Sequence, residues 1–158
     1  MNNTTRRLFL QGTLATGALG VALGAGLISP RQVLAAWPQA AFEAKKIDEA
    51  VNALLGAAAT EASAAIEIKA PEIAENGAVV PITVSTSLTG VESITLLVAE
   101  NATPLAARFE FAPNADPTAS TRLKMGKTSD VVAVVRTQDG KLYSARKGVK
   151  VTIGGCGG

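Results

Sequence analysis

The sequence contains no histidine and only one cysteine, and both shortages limit what the protein can do. Aromatic residues are also few, at 4% of the 158 residues. Without histidine the chain lacks the usual general base, the usual zinc or haem ligand, and the partner that activates the thiol of a cysteine protease. No second cysteine is present to complete a redox or metal site. We therefore expect no catalytic residue, no metal site and no cofactor in this chain.

The charged residues are nearly balanced once the N-terminal segment is considered separately. Of the fifteen basic residues, Arg6, Arg7 and Arg31 lie in the first 35 positions, where none of the thirteen acidic residues occurs. The remainder therefore carries twelve basic and thirteen acidic residues, a formal net charge of −1. Nucleic-acid binding requires a dense basic face. We expect no nucleic-acid partner.

Residues 1–35 have the pattern of an export signal. The stretch "TTRRLFLQG" places Arg6 beside Arg7 and resembles the twin-arginine (Tat) motif, and no charged residue follows until Arg31. Small residues near position 35 are suited to signal-peptidase cleavage. A transmembrane anchor is the alternative, since the apolar stretch approaches the ~20 residues of a spanning helix, but its glycine content favours a signal. We expect Tat export to a bacterial periplasm and no membrane association after cleavage.

Residues 36–60 are predicted to form an N-terminal helix and a connection. Apolar residues recur at helical spacing between Pro38 and Leu55, Pro38 can occupy the first turn, and Gly56 can end the helix. The small-residue stretch "GAAATEASAA" follows as a connection or an extension of the helix. The residues that carry the periodicity are Phe42, Ile47, Val51, Leu54 and Leu55. We expect one amphipathic helix, which packs either on its own domain or against a partner chain.

Residues 61–153 show the two-residue period of β-strands with one buried face. Examples are "VPITV" from Val80 and "ITLLV" from Ile94, and the apolar run "VVAVV" from Val131 suits a central strand. Turn signals separate these stretches at short intervals, and Asp139-Gly140 favours a two-residue hairpin loop. Roughly seven such strands predict a mainly β fold, an antiparallel immunoglobulin-like sandwich. The last strand is expected to hold the chain as far as Ile153.

The tail after Ile153 has the sequence "GGCGG", with Cys156 between two pairs of glycines, Gly154, Gly155, Gly157 and Gly158. Glycine has no Cβ, costs the most entropy to fix and offers no side chain to pack. We therefore expect residues 154–158 to form a thin, flexible arm that carries the thiol about 10 Å beyond the last anchored residue. Such an arm can introduce a covalently held group into a narrow partner site.

The tail "VTIGGCGG", together with the Tat signal, the N-terminal helix and the β-rich domain, resembles the SoxY family of the bacterial sulfur-oxidation (Sox) system. The resemblance implies a non-catalytic carrier that holds thiosulfate-derived intermediates on Cys156. It also implies a stable heterodimer with a SoxZ-like chain. Transient partners would be the haem enzyme SoxXA, the hydrolase SoxB and, in organisms that have it, the sulfane dehydrogenase SoxCD.

One alternative function leaves the tail a smaller role. The chain would then be a periplasmic immunoglobulin-like interaction module whose thiol serves only as a disulfide tether.

A cluster of basic residues precedes the tail. The cluster can attract anions or a partner, or it can be ordinary solvated strand surface. Its members are Arg136, Lys141, Arg146, Lys147 and Lys150.

Overall fold

The computed structural model describes residues 38–57 and 59–153. The predicted Tat motif at Arg6 and Arg7 and the predicted arm over residues 154–158, with Cys156, lie outside these residues. No helix in the described part is long and apolar enough to cross a membrane.

Two short helices and nine strands form the described part of the chain. The helices are α1 (Gln39–Glu43) and α2 (Ile47–Leu55). The strands are β1 (Glu61–Ala62), β2 (Ile66–Lys69), β3 (Ile73–Ala74), β4 (Val80–Thr86), β5 (Val91–Val98), β6 (Leu105–Glu110), β7 (Thr118–Leu123), β8 (Ser129–Thr137) and β9 (Leu142–Val151).

The strands form two sheets that pack face to face. In the larger sheet β9, β8, β5 and β6 are antiparallel neighbours, and the short strands β1 and β3 both pair in parallel with the free edge of β9. The smaller sheet has the antiparallel order β2-β4-β7. The predicted mainly β, immunoglobulin-like sandwich with an N-terminal helix is confirmed, and the two parallel pairs are an addition to it.

The larger sheet is buried on both faces, so the domain has two apolar cores. The first lies between the sheets and includes Ile82, Ile94 and Leu96. The second lies between the larger sheet and the helices, where Val51 of α2 shares a cluster with Leu97 of β5 and further residues of β8. Burial of one such side chain stabilises the fold by about 1.5–3 kcal/mol. The helices therefore pack on their own domain, which is one of the two arrangements expected from the sequence.

The expected single helix is divided into two. Ala44 has an extended conformation with ψ of 140°, and Lys46 is also extended, so the chain bends between α1 and α2. The sequence accounts for the break, since Phe42 and Ile47 are five residues apart and thus about 140° apart around a continuous helix. Helix α2 ends as predicted at Gly56, which has a φ of 75°.

The loop between β8 and β9 also differs from the expectation. The backbone N–H of Thr137 donates to the carbonyl of Lys141, which leaves three loop residues rather than two. The N–H of Gly140 donates to the Thr137 carbonyl at 2.8 Å, and Gly140 has a φ of 80°. A turn followed by a left-handed glycine is the usual three-residue hairpin loop, so the Asp139-Gly140 pair marks the correct turn but the wrong loop length.

Candidate functional site

The candidate site is the end of β9, from which the predicted arm continues. The structure places the strand that leads to Cys156 but does not describe Cys156 itself. The predicted alternation along this strand weakens toward its end: Val149 is 1% exposed, Val151 is half-buried, and Ile153 is 69% exposed. The side chain of Ile153 therefore does not continue the burial of Val149 and Val151. The expectation that the chain is held as far as this residue is met through its backbone.

Backbone hydrogen bonds join the end of β9 to the segment that contains β3. The N–H of Thr152 donates to the carbonyl of Ala74 at 3.0 Å, and its hydroxyl donates to the carbonyl of Glu75 at 3.1 Å. The carbonyl of Ile153 accepts from the N–H of Gly77 at 2.8 Å. These bonds continue the parallel pairing of β3 with β9. The last described residue is thus tied directly to the sandwich.

A second loop holds the other side of the same strand end. The N–H of Val151 donates to the hydroxyl oxygen of Thr128 at 2.9 Å. The N–H of Met125 donates to the carbonyl of Gly77 at 2.7 Å, and the Met125 side chain is fully buried in the core between the sheets. Because both flanking loops are connected to this core, the end of β9 is held from both sides as far as Ile153.

Three exposed apolar side chains belong to the two segments that meet at the end of β9, residues 73–79 and 150–153. Among the described residues, Ile73, Val79 and Ile153 are the large hydrophobic residues with exposed side chains, at 57%, 52% and 69%. Sequence reasoning missed the first two. The adjacent pair Val79-Val80 carried a usable signal, because neighbouring residues in an extended chain point in opposite directions and only one of them can face the core. Val80 is the buried member.

The basic cluster predicted before the tail does not form one patch. Arg136 is ion-paired with Glu92, with Nε 2.9 Å from Oε2, and Lys141 is paired with Asp139 at 3.2 Å. The three remaining members alternate along β9, so Lys147 lies on the opposite face of the sheet from Arg146 and Lys150. The cluster therefore provides no concentrated anion-binding surface.

The titratable groups of the hairpin that begins β9 serve a structural role. The hydroxyl of Thr137 donates to Oδ1 of Asp139 at 2.5 Å, and this hydrogen bond, with a contribution from Lys141, lowers the pKa of the Asp139 carboxyl. The hydrogen bond between Lys141 and Asp139 raises the pKa of the Lys141 ammonium group. Both groups are exposed and lie at the far end of β9 from the root of the arm. In residues 38–57 and 59–153, no group of three or more His, Cys, Asp or Glu side chains could hold a metal ion.

Comparisons with known proteins identify relatives of the whole domain. The family model for sulfur oxidation protein SoxY matches residues 51–156, a range that includes Cys156. The solved structure of the sulfur carrier protein SoxY from Chlorobium limicola f thiosulfatophilum is 47% identical in sequence and has a TM-score of 0.63; the match covers 68% of this chain and 97% of that chain.

A more distant likeness concerns the fold alone. The superoxide reductase (neelaredoxin) from Ignicoccus hospitalis is 24% identical over 54% of this chain and 79% of that chain, with a TM-score of 0.50. A comparison with curated proteins gave no significant match.

Proposed function

Because this chain belongs to the SoxY family of sulfur oxidation proteins, we propose that it is a periplasmic carrier that holds thiosulfate-derived intermediates covalently on Cys156. The family match is the observation that carries this proposal, since it extends from α2 to Cys156 itself. The carrier holds its substrate while partner enzymes oxidise and hydrolyse it.

The anchored strand end supports the carrier role. A carrier has to keep its domain folded while its attachment site enters one enzyme after another. The hydrogen bonds around Ile153 fix the point where the arm begins, and the glycines on both sides of Cys156 provide a chain with little bulk and many accessible conformations. The reach of about 10 Å from Ile153 to Cys156 is enough to bring the sulfur below the surface of a partner.

The proposed chemistry takes place on the sulfur atom of Cys156. In the loading step, a sulfur–sulfur bond forms between the thiolate and the outer sulfur of thiosulfate, and two electrons pass to the haem enzyme SoxXA. In the next step, water hydrolyses the bond between the outer sulfur and the sulfonate group in SoxB, which releases sulfate with its protons and leaves a persulfide on Cys156. Where SoxCD is present, it oxidises the persulfide sulfur, and SoxB hydrolyses the product again.

The carrier supplies no catalytic group in this scheme. The sequence contains no histidine to act as a general base. Activation of the thiol therefore falls to the partner enzymes. The proposed stable partner is a SoxZ-like chain, and the twin-arginine motif at Arg6 and Arg7 supports export of a folded heterodimer.

Reconstituted turnover tests the proposal. Wild-type carrier and Cys156→Ser, each as a complex with the SoxZ-like chain, are incubated with thiosulfate, SoxXA, SoxB and an electron acceptor, and sulfate is measured. We expect sulfate from the wild type only, because the serine hydroxyl cannot form the sulfur–sulfur bond. Wild-type carrier alkylated at its thiol is a second control that leaves the sequence unchanged. Sulfate formation by Cys156→Ser near the wild-type rate would rule out the carrier role and leave the disulfide tether as the better explanation of the tail.

A further inference from the structure

Four buried polar atoms lie at neighbouring positions of the larger sheet. Among the described residues, the buried side-chain nitrogen and oxygen atoms without a hydrogen-bond partner are Oγ of Ser93, Oγ1 of Thr95, Nε of Arg108 and Nε of Arg136. We name these four residues the donor cluster. We propose that the donor cluster is a non-covalent binding site for a small tetrahedral oxyanion, the class to which sulfate and thiosulfate belong. This inference goes beyond the proposed carrier function and does not depend on the chemistry of Cys156.

The strand register places the donor cluster on three adjacent strands. Ser93 and Thr95 lie in β5, where Arg136 of β8 is opposite Ser93 and Arg108 of β6 is opposite Thr95. Directly opposed side chains share a face of the sheet, with Cβ atoms about 4.5–5.5 Å apart, and residues two apart along a strand also share a face. All four side chains therefore lie on one face. It is the face of Leu97, which belongs to the core beneath the helices.

The two hydroxyl groups occupy positions where the fold favours apolar side chains. Ser93 and Thr95 are both 0% exposed, and the next residue on this face of β5 is the buried Leu97. A buried polar group without a partner carries its full desolvation penalty, whereas an apolar group of the same shape carries none. The fold alone therefore gives no reason for hydroxyl groups here, and a ligand that accepts their hydrogen bonds supplies one.

The chemistry of the donor cluster favours an anion with several oxygen atoms. The Nε–H of an arginine can only donate, and a hydroxyl group can donate as well, so the missing partner is an acceptor. Two guanidinium groups beside it favour a negative charge. Ser93 and Thr95 are about 6.8 Å apart along the strand, and an ion between them can accept from both at about 2.8 Å. A tetrahedral oxyanion directs oxygen atoms to all sides, as donors on three strands require.

The ion pairs of the two arginines leave these donors available. Nη2 of Arg108 lies 3.2 Å from Oε1 of Glu110, which does not engage its Nε–H. Nε of Arg136 lies 2.9 Å from Oε2 of Glu92, but its N–H is not directed at that oxygen. Both arginine side chains are partly exposed, at 24% and 34%, so rotation of their flexible stems opens the site to solvent. Of the basic cluster before the tail, only Arg136 belongs to this site.

A titration with sulfate tests the site at the atoms that form it. The chain with Cys156→Ser, in complex with the SoxZ-like chain, is titrated with sodium sulfate, and the arginine Nε–H signals are followed by nitrogen–proton correlation NMR. Sodium chloride and sodium acetate are titrated separately, the acetate as a model of a carboxylate from a partner. We expect sulfate to shift the signals of Arg108 and Arg136 saturably and to leave that of Arg122, in β7 of the smaller sheet, without a saturable shift.

Two paired substitutions identify the role of the hydroxyl groups. Ser93→Ala/Thr95→Val removes both hydroxyls of the donor cluster and should raise the Kd for sulfate about tenfold or more, since hydrogen bonds to charged groups are among the stronger ones. Thr83→Val/Ser120→Ala is the matched control, because it removes two hydroxyls that bond to each other at 2.9 Å on the smaller sheet; its Kd should be unchanged.

The site would be overturned if sulfate gave no saturable shift, or if chloride gave the same shift as sulfate. Acetate that binds as tightly as sulfate would contradict a tetrahedral oxyanion and indicate a carboxylate instead. An unchanged Kd in Ser93→Ala/Thr95→Val would also refute the assignment. Arg108→Gln, which should weaken sulfate binding as well, provides the same decision if that double variant does not fold. None of these outcomes affects the carrier function, which is tested separately by sulfate formation with Cys156→Ser.

Discussion

Deleting Gly154 and Gly155 together shortens the step from Ile153 to Cys156 from three residues to one. The reach of the sulfur beyond the anchored strand falls from about 10 Å to about 3.5 Å. The lost length can be regained only if Thr152 and Ile153 separate from the domain. This separation breaks the two hydrogen bonds that Thr152 donates to the β3 segment and the bond between Gly77 and Ile153.

The cost of this separation can be worked out from those three bonds. Each contributes a net of about 1 kcal/mol, so release of the two residues costs about 3 kcal/mol. Since 1.4 kcal/mol is a factor of ten, we expect kcat/KM of the shortened carrier with SoxB to fall roughly 100-fold. The reaction of Cys156 with a small maleimide should be unaffected, because a small reagent needs no reach.

A second substitution identifies the mechanism of that loss. Thr152→Val removes the side-chain hydrogen bond to Glu75 and should lower the cost of separation by about 1 kcal/mol. In the shortened carrier it should therefore raise kcat/KM about fivefold, while in the full-length arm it should have little effect on turnover. If the shortened carrier turns over at the wild-type rate, the reach of the arm does not limit access. If Thr152→Val gives no gain, the strand end does not separate during turnover.

Three further predictions concern the glycines, a buried hydroxyl and the hairpin. Replacing Gly155 and Gly157 with valine should reduce both SoxXA loading and SoxB hydrolysis without changing the melting temperature or the maleimide reaction, since bulk beside the sulfur hinders entry; unchanged turnover would show that the glycines are not there for access. Thr95 is fully buried with no hydrogen-bond partner for its hydroxyl, so Thr95→Val should raise the free energy of unfolding in urea by about 1 kcal/mol, and a loss of stability would contradict this. Because the pKa of Asp139 is lowered, chiefly by Thr137, its stabilising effect should be present at neutral pH and be lost as the pH falls through that lowered pKa; NMR titration of Thr137→Val should show the pKa returning toward 3.8, and an unchanged pKa would contradict the assignment.

Local patterns in the sequence were enough to predict the sandwich. Alternation in β4 and the apolar run in β8 correspond to strands whose burial follows the expected faces. The second core was predicted only as one of two alternatives, because α2 and β5 come together only in the tertiary structure. Leu97, which interrupts the alternation between Leu96 and Val98, was the available signal that β5 is buried on both faces.

The candidate site, like the fold, could be predicted from the sequence only in part. The composition of residues 154–158 predicts an arm without reference to any other part of the chain. The attachment of the end of β9 depends on the parallel pairing of Ile73 with Lys150. This contact joins distant parts of the sequence, and a strand of only two residues is too short to show alternation. Exposure of Ile153 likewise could not be predicted, since its position continues the alternation of Val149 and Val151, but β9 ends at Val151 and Ile153 is 69% exposed.

The mass of the intact carrier during turnover tests the central claim most directly. Wild-type carrier incubated with thiosulfate, SoxXA and an electron acceptor should gain the mass of one thiosulfate group, and fragmentation should place that group on Cys156. Addition of SoxB should convert the adduct to a persulfide, with a gain of one sulfur atom relative to the free thiol. An unmodified carrier in a mixture that produces sulfate, or an adduct on any residue other than Cys156, would contradict the account.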